Sequence, residues 1–191
     1  MITSKKEYKQ YLQADLEAKK IPKYKWKYYF TFPILRFQRL LRKVEYYENC
    51  RTDIIGKLYV KYLRFRFYKL SLQLGFSMGT HVFGPGLDIA HYGSVLVSDR
   101  SKVGKNFRIH SDVNIGGKDG EVPVIGDNVY IGPGAKLFGP IRVGNGVTIG
   151  ANSVVNRDVP DNVMVAGIPA KIIKVQGRNE VPIAKLERSA N

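Results

Sequence analysis

The chain has 191 residues, enough for one domain with an appendage and a sound core, and its 31 Lys or Arg against 16 Asp or Glu give a net charge of +15. A single cysteine, Cys50, excludes an internal disulfide framework and a cysteine-based metal cluster. The longest apolar runs are broken by Lys, Arg or Gly well short of the ~20 residues a membrane-spanning helix needs, so a soluble, cytoplasmic protein is expected.

The first predicted helix begins at Ser4, a cap residue with Glu7 in the capping-box position. It carries Tyr8, Tyr11, Leu12, Asp15 and Leu16 at helical spacing until Ile21-Pro22 stops it. Residues 23–33, Lys-Tyr-Lys-Trp-Lys-Tyr-Tyr-Phe-Thr-Phe-Pro, read as a loop or extended connector. From Ile34 a second helix presents Leu35, Leu40, Leu41 and Val44 amid Arg36, Arg39, Arg42 and Lys43. A third is predicted from Asp53 to Leu74, with Gly75 as its stop. Turn-rich blocks follow, giving an α-helical region over residues 1–78, a repeat domain over 79–175 and a tail over 176–191.

Charge is divided unevenly. Residues 1–80 hold 18 Lys or Arg against 6 Asp or Glu, a balance of +12, whereas the remainder balances at +3. The helical part is therefore both the basic part and the aromatic-rich one. Such a composition fits a nucleic-acid surface, docking on an anionic membrane surface or charged glycan, or an amphipathic cap whose aromatics pack while its lysines face water. No recognition motif accompanies the charge, so no nucleic-acid partner is expected. The membrane reading would set the protein against the inner face of the membrane.

A different rhythm governs the second half. Ile125, Ile131, Leu137, Val143, Ile149 and Val155 recur every six residues, with Val129, Ala135, Ile141, Val147 and Ser153 as a second, compact series. Each block describes a short strand and a turn, and three blocks make one triangular coil of about eighteen residues whose apolar face is buried only by stacking on its neighbours. Counting back in sixes gives Ile115, Ile109, Val103, Val97 and then His91, an imidazole in a slot otherwise aliphatic. Ile115 and Ile125 are ten apart, so four residues within Gly116-Gly117-Lys118-Asp119-Gly120-Glu121 leave the prism. Handedness is not legible in the spacing, and the general crossover rule favours right-handed connections.

The repeats, with Gly84-Pro85-Gly86-Leu87-Asp88-Ile89-Ala90-His91 ahead and Val165-Ala166-Gly167-Ile168-Pro169-Ala170-Lys171-Ile172-Ile173 behind, resemble the hexapeptide-repeat acyltransferases over residues 83–174. The resemblance implies a mainly β fold, a left-handed parallel β-helix with an N-terminal α-helical region, assembled as a homotrimer and using acetyl-CoA. Within that superfamily the chain is similar to the serine acetyltransferase group, and most of all to O-acetyltransferases of capsular and exopolysaccharide biosynthesis. A sugar hydroxyl of a glycan or its precursor is thus the expected acceptor.

In this resemblance His91 is the general base. A hydroxyl with a pKa far above 7 needs its proton removed as it attacks a thioester, and imidazole titrates in the range that task requires. Asp88 is either its orienting carboxylate or a solvated turn residue, and His110 either lines the site from the next coil or packs on the surface. Serine acetyltransferases carry an Asp at the position of Ala90 and a second His at that of Val122, departures that count against serine as acceptor. For acetyl-CoA the resemblance maps the main chain of Gly117, Pro133 and Ala151 onto the pantetheine arm and Lys171 onto the nucleotide phosphates, with Lys136 and Lys174 as further candidates. Pro133 lacks an N–H, so only its carbonyl or ring can contribute.

No Walker loop or dinucleotide fingerprint is present, which argues against ATP and NAD. Serine O-acetylation, a non-catalytic scaffold and a metal hydratase on the same prism are the alternatives. The last would need His81, His91 and His110 to meet, and their spacing follows no ligand pattern, so no metal is expected.

Overall fold

The computed structural model describes residues 1–175, so the tail over 176–191 lies outside the described residues. Helix α1 (Lys5–Ala18) starts at Ser4, whose hydroxyl accepts the Glu7 N–H at 3.2 Å. The Glu7 carboxylate turns back one residue further than a capping box requires, taking the N–H and hydroxyl of Thr3 at 2.7 Å each. The predicted connector contains a helical turn, α2 (Tyr28–Thr31). Tyr24, Tyr28 and Phe32 fall four apart, so their rings meet edge to face at 6.1 and 5.1 Å once the backbone coils. Helix α3 runs Pro33–Cys50, with Pro33 in its first turn.

Helix α4 (Ile54–Leu74) is capped by Asp53, which accepts the Gly56 N–H at 3.0 Å, and ends at Gly75 in the left-handed conformation, φ 76°. A side chain on Gly75 would also come within 2.9 Å of the Gly93 carbonyl oxygen, so the helix-to-prism junction is tight on both counts.

From Phe76 the chain winds as a prism: β1 (Phe76–Met78), β2 (Asp88–Ile89), β3 (Val95–Val97), β4 (Lys102–Val103), β5 (Arg108–Ile109), β6 (Val113–Gly116), β7 (Val124–Ile125), β8 (Tyr130–Ile131), β9 (Lys136–Phe138), β10 (Arg142–Val143), β11 (Thr148–Ile149), β12 (Val154–Val155) and β13 (Val163–Gly167). From β2 to β12 every third strand falls on the same face, and β1 and β13 join β3 and β11, giving sheets β1-β3-β6-β9-β12, β4-β7-β10 and β2-β5-β8-β11-β13, all parallel. The hexad is the strand-plus-turn of one face, and three hexads return the chain to register, as Val124 facing Arg142 shows. A final strand, β14 (Ala170–Val175), folds back antiparallel on β13 and closes the stack. This is the left-handed parallel β-helix with N-terminal helices that the family resemblance implies, not the right-handed winding the general crossover rule favours.

The aliphatic series points inward. Ile89, Ile109, Ile131, Ile149 and Val165 form one column, Val97, Ile115, Leu137 and Val155 another, and Val103, Ile125 and Val143 a third, all of them buried. Each such side chain contributes about 1.5–3 kcal/mol on burial. The helices join this core through Phe37, Leu41, Val44 and Leu63.

A buried polar network also ties helices to prism. Arg42, which the sequence places on the polar side of its helix, is fully buried. Its guanidinium donates to Asp15 at 2.9 and 3.2 Å, to Glu45 at 3.1 Å and to the carbonyls of Phe83 and Gly84 at 2.8 and 2.6 Å. Asp15 in turn accepts the N–H groups of Gly86 and Leu87 at 2.9 and 2.8 Å. Two carboxylates satisfy one buried cation, and their attraction holds the Arg42 pKa above its ordinary value despite the opposing effect of burial. No helix among the described residues is long and apolar enough to cross a membrane.

Candidate active site

The turns after β2, β5, β8 and β11 stack into one edge of the prism. Backbone bonds fix the order: Ala90 N–H to Ile109 at 2.9 Å, His110 to Ile131 at 3.3 Å, Gly132 to Ile149 at 2.8 Å and Gly150 to Val165 at 2.8 Å. The residues that follow, His91, Ser111, Pro133 and Ala151, come next along that edge. With coils spaced about 4.8 Å apart, His91 and Ala151 are separated by roughly 14 Å. Column spacing demands small residues here, since a Cβ on Gly132 would lie 2.8 Å from the Ala151 nitrogen. His110 is the exception, flanked by Ala90 and Gly132.

His91 does not occupy the aliphatic slot that counting in sixes assigns to it. Ile89 pairs with Ile109 and fills that slot. Val95 follows Ile89 by six positions whereas its partner Val113 follows Ile109 by four, so the first-coil turn carries two extra residues. His91 rides on that longer turn and is exposed at the edge. Its ring lies 5.6 Å from that of His110, whose ring lies 5.2 Å from Tyr130.

His110 is half-buried, and its Nε2 is buried without a hydrogen-bond partner among the described residues. Burial foremost, then the charges of Arg108 and His91, push its pKa below the ordinary histidine value, with Asp88 opposing. That shift favours the uncharged ring beside His91. Asp88 is buried and held by ion pairs: one oxygen takes the Lys19 ammonium at 2.7 Å and the other the Arg108 guanidinium at 2.5 Å. Lys19 also reaches the Ile89 carbonyl at 2.6 Å, pinning the strand that leads to His91.

The cofactor candidates divide between two edges. Pro133 and Ala151 share the edge of His91. The Pro133 carbonyl already accepts the Asn152 N–H at 2.8 Å, which leaves its ring as the contribution most open to a ligand. Lys136 enters the next face and donates to the Asp112 carbonyl at 2.6 Å, across the same edge. Lys171 pairs with Ala166 in the closing hairpin, where the small-residue column ends, and Lys174 sits further along, opposite Met164.

Gly117 instead opens the excursion after β6, at the following edge. There Lys118 and Glu121 exchange two backbone bonds of 2.9 Å, closing a two-residue turn with Asp119 and Gly120 at positive φ. The Arg100 guanidinium donates to the Gly120 carbonyl.

His81 lies apart from both other histidines, with its Nε2 2.8 Å from Glu48. Sequence reasoning missed Lys19, Arg108 and Tyr130 around the imidazole pair. A Lys at a helix end gives no local signal, but the column 88–108–130, outward on one sheet face, was available once the coil register was known.

Comparison with known proteins agrees with the repeat fold. Residues 123–157 match the bacterial transferase hexapeptide family of six repeats. The serine acetyltransferase of Staphylococcus epidermidis is 35% identical over 136 residues, covering 69% of this chain. The chain spans 61% of that relative's length. Among solved structures, the serine O-acetyltransferase of Brucella melitensis superimposes with a TM-score of 0.66 at 30% identity, over 90% of this chain and 69% of the other. The serine acetyltransferase of Brucella abortus in complex with coenzyme A gives 0.71 at 28% identity, over 92% and 71%.

Proposed function

The chain belongs to the bacterial hexapeptide-repeat transferases, and we propose that it moves the acetyl group of acetyl-CoA to the hydroxyl of serine. This corrects the sugar-hydroxyl acceptor expected from the sequence. The relatives and structural neighbours that match across most of the chain are named for serine, and they match despite Ala90 and Val122.

The observation that carries the reading is the shared edge of His91, Pro133 and Ala151, continuing to Lys171. It offers an exposed imidazole at one end, small main-chain surfaces along about the length of a pantetheine arm, and a cation near the other. In the proposed reaction His91 takes the serine hydroxyl proton as the oxygen attacks the thioester carbonyl. The tetrahedral intermediate expels the coenzyme A thiolate, which regains the proton from His91. The lowered His110 pKa favours an uncharged ring next to His91, so a proton taken up by His91 meets less repulsion from that ring. Because Gly117 stands at a different edge from Pro133, a site using both draws the hairpin from a neighbouring copy, which supports a homotrimer.

Purified protein incubated with acetyl-CoA and L-serine is expected to yield O-acetylserine by mass spectrometry with stoichiometric release of free thiol. His91→Ala should lower turnover by about 10²–10⁴-fold while leaving the melting temperature unchanged, since the side chain is exposed. Absence of acetylserine from an enzyme that still consumes acetyl-CoA would overturn the acceptor, and undiminished turnover in His91→Ala would overturn the base.

A further inference from the structure

Helix α4 is apolar on two opposite sides. Leu63, Leu70 and Leu74 are buried in the core shared with α3 and β1. Ile54, Leu58, Phe65 and Leu72 lie on the other side within roughly 40° of one another about the helix axis, and each is 60–79% exposed. A helix that is apolar all round normally meets something on both faces. Tyr62 and Tyr68, both exposed, widen the row, and Lys57, Lys61, Arg64 and Lys69 border it. Between Ile54 and Leu74 there are five Lys or Arg and no Asp or Glu. The patch continues onto the preceding turn, where the Tyr29 hydroxyl of α2 accepts from Arg66 of α4 at 2.5 Å and the exposed Trp26 and Phe30 rings meet at 5.6 Å.

Charge and exposure together select the occupant. A nucleic acid or acidic glycan would engage the cations and leave a row of aliphatic side chains in water. A second copy laid face to face about a two-fold axis would oppose two cationic helices, each without a carboxylate between Ile54 and Leu74. An anionic lipid surface satisfies both: aliphatic and aromatic groups enter the boundary of the acyl chains, while Lys and Arg bury their stems and reach back to the phosphates. Trp and Tyr favour that same depth. We propose that the outer face of α2 and α4 is a peripheral docking surface for a membrane of anionic phospholipid, lying flat on it without crossing it.

Sedimentation of the full chain with vesicles of equal parts phosphatidylglycerol and phosphatidylcholine tests this against vesicles of phosphatidylcholine alone. Binding to the anionic vesicles is expected to be at least about tenfold stronger and to weaken with added salt. The double variant Phe65→Glu, Leu72→Glu alters only exposed side chains, so its melting curve should be retained. It should lose about tenfold or more of the vesicle affinity, as Lys61→Gln, Lys69→Gln should to a smaller degree. Equal binding to both lipid compositions, or vesicle affinity unchanged in the double variant, would overturn the proposal. So would a wild-type mass by light scattering that falls in the double variant without any vesicle binding, which would assign the face to a second copy. Serine acetylation in buffer is expected to be the same in wild type and double variant, so failure of the membrane test leaves the enzymatic reading standing.

Discussion

In the prism, Ile109, Ile131 and Ile149 fill the same slot on successive coils, and any one of them could be read from its neighbours. In the helical region the interior is filled by Phe37, Leu41, Val44, Leu63 and a fully buried Arg42, none of which repeats. Both regions bury apolar side chains, yet they distribute risk differently. A prism coil leans only on the coils beside it, whereas α1, α3 and the first coil converge on one guanidinium. Periodicity announces the first kind of core and is silent on the second.

The sharpest way to break that contrast is Arg42→Ala. It leaves Asp15 and Glu45 buried without their counter-charge and strips donors from Phe83 and Gly84, at about 3–5 kcal/mol. A depressed melting temperature is expected, with amide exchange accelerating first in α1 and α3 while β8 and β11 stay protected. Uniform acceleration along the whole chain would show that the network supports the prism as well.

Ile131→Ala opens a cavity mid-column and is expected to cost about 2–4 kcal/mol, with exchange rising in the flanking coils and sparing α1. Loss of α1 protection in that variant would remove the distinction between the regions.

Gly75→Ala tests the seam. A Cβ at φ 76° and 2.9 Å from the Gly93 oxygen is expected to cost about 1–2 kcal/mol, read as a lower urea midpoint. A neutral result would mean that the junction yields freely.

The smallest effect concerns pH. The folded protein lowers the His110 pKa, so the unfolded chain takes up that proton first as pH falls. Stability should drop as pH descends through the ordinary histidine value near 6.5 and level off below the lowered one. His110→Gln lacks this contribution, so between pH 8 and pH 5.5 wild type should lose more melting temperature than the variant. Parallel losses would place the titration elsewhere.

Much of the prism was legible in advance, though not the geometry of its edges. Counting in sixes identified the prism and the four-residue excursion at Lys118–Glu121, which closes as a hairpin. The same count misplaced His91, because two extra residues in one turn alter the register without altering the aliphatic spacing on either side of it. Asp88 looked available to orient the imidazole, since sequence shows a carboxylate but not the Lys19 and Arg108 that pair with it. The acceptor was misjudged for a related reason. Ala90 and Val122 were weighed as single substitutions, whereas likeness to serine acetyltransferases extends over most of the chain.

Taken alone, the order of residues determined the three-sided hexad spiral though not its hand, the three long helices with the caps of α1 and α4, and the uneven charge, because each follows from spacing or composition within a few turns of chain. Tertiary structure decided which histidine is half-buried, which cation is buried, and that α4 shows water a second apolar face. The buried cation depends on Asp15 meeting groups from 27 to 72 positions away, and the imidazole pair forms only where one coil stacks on the next, separations over which local periodicity carries no information.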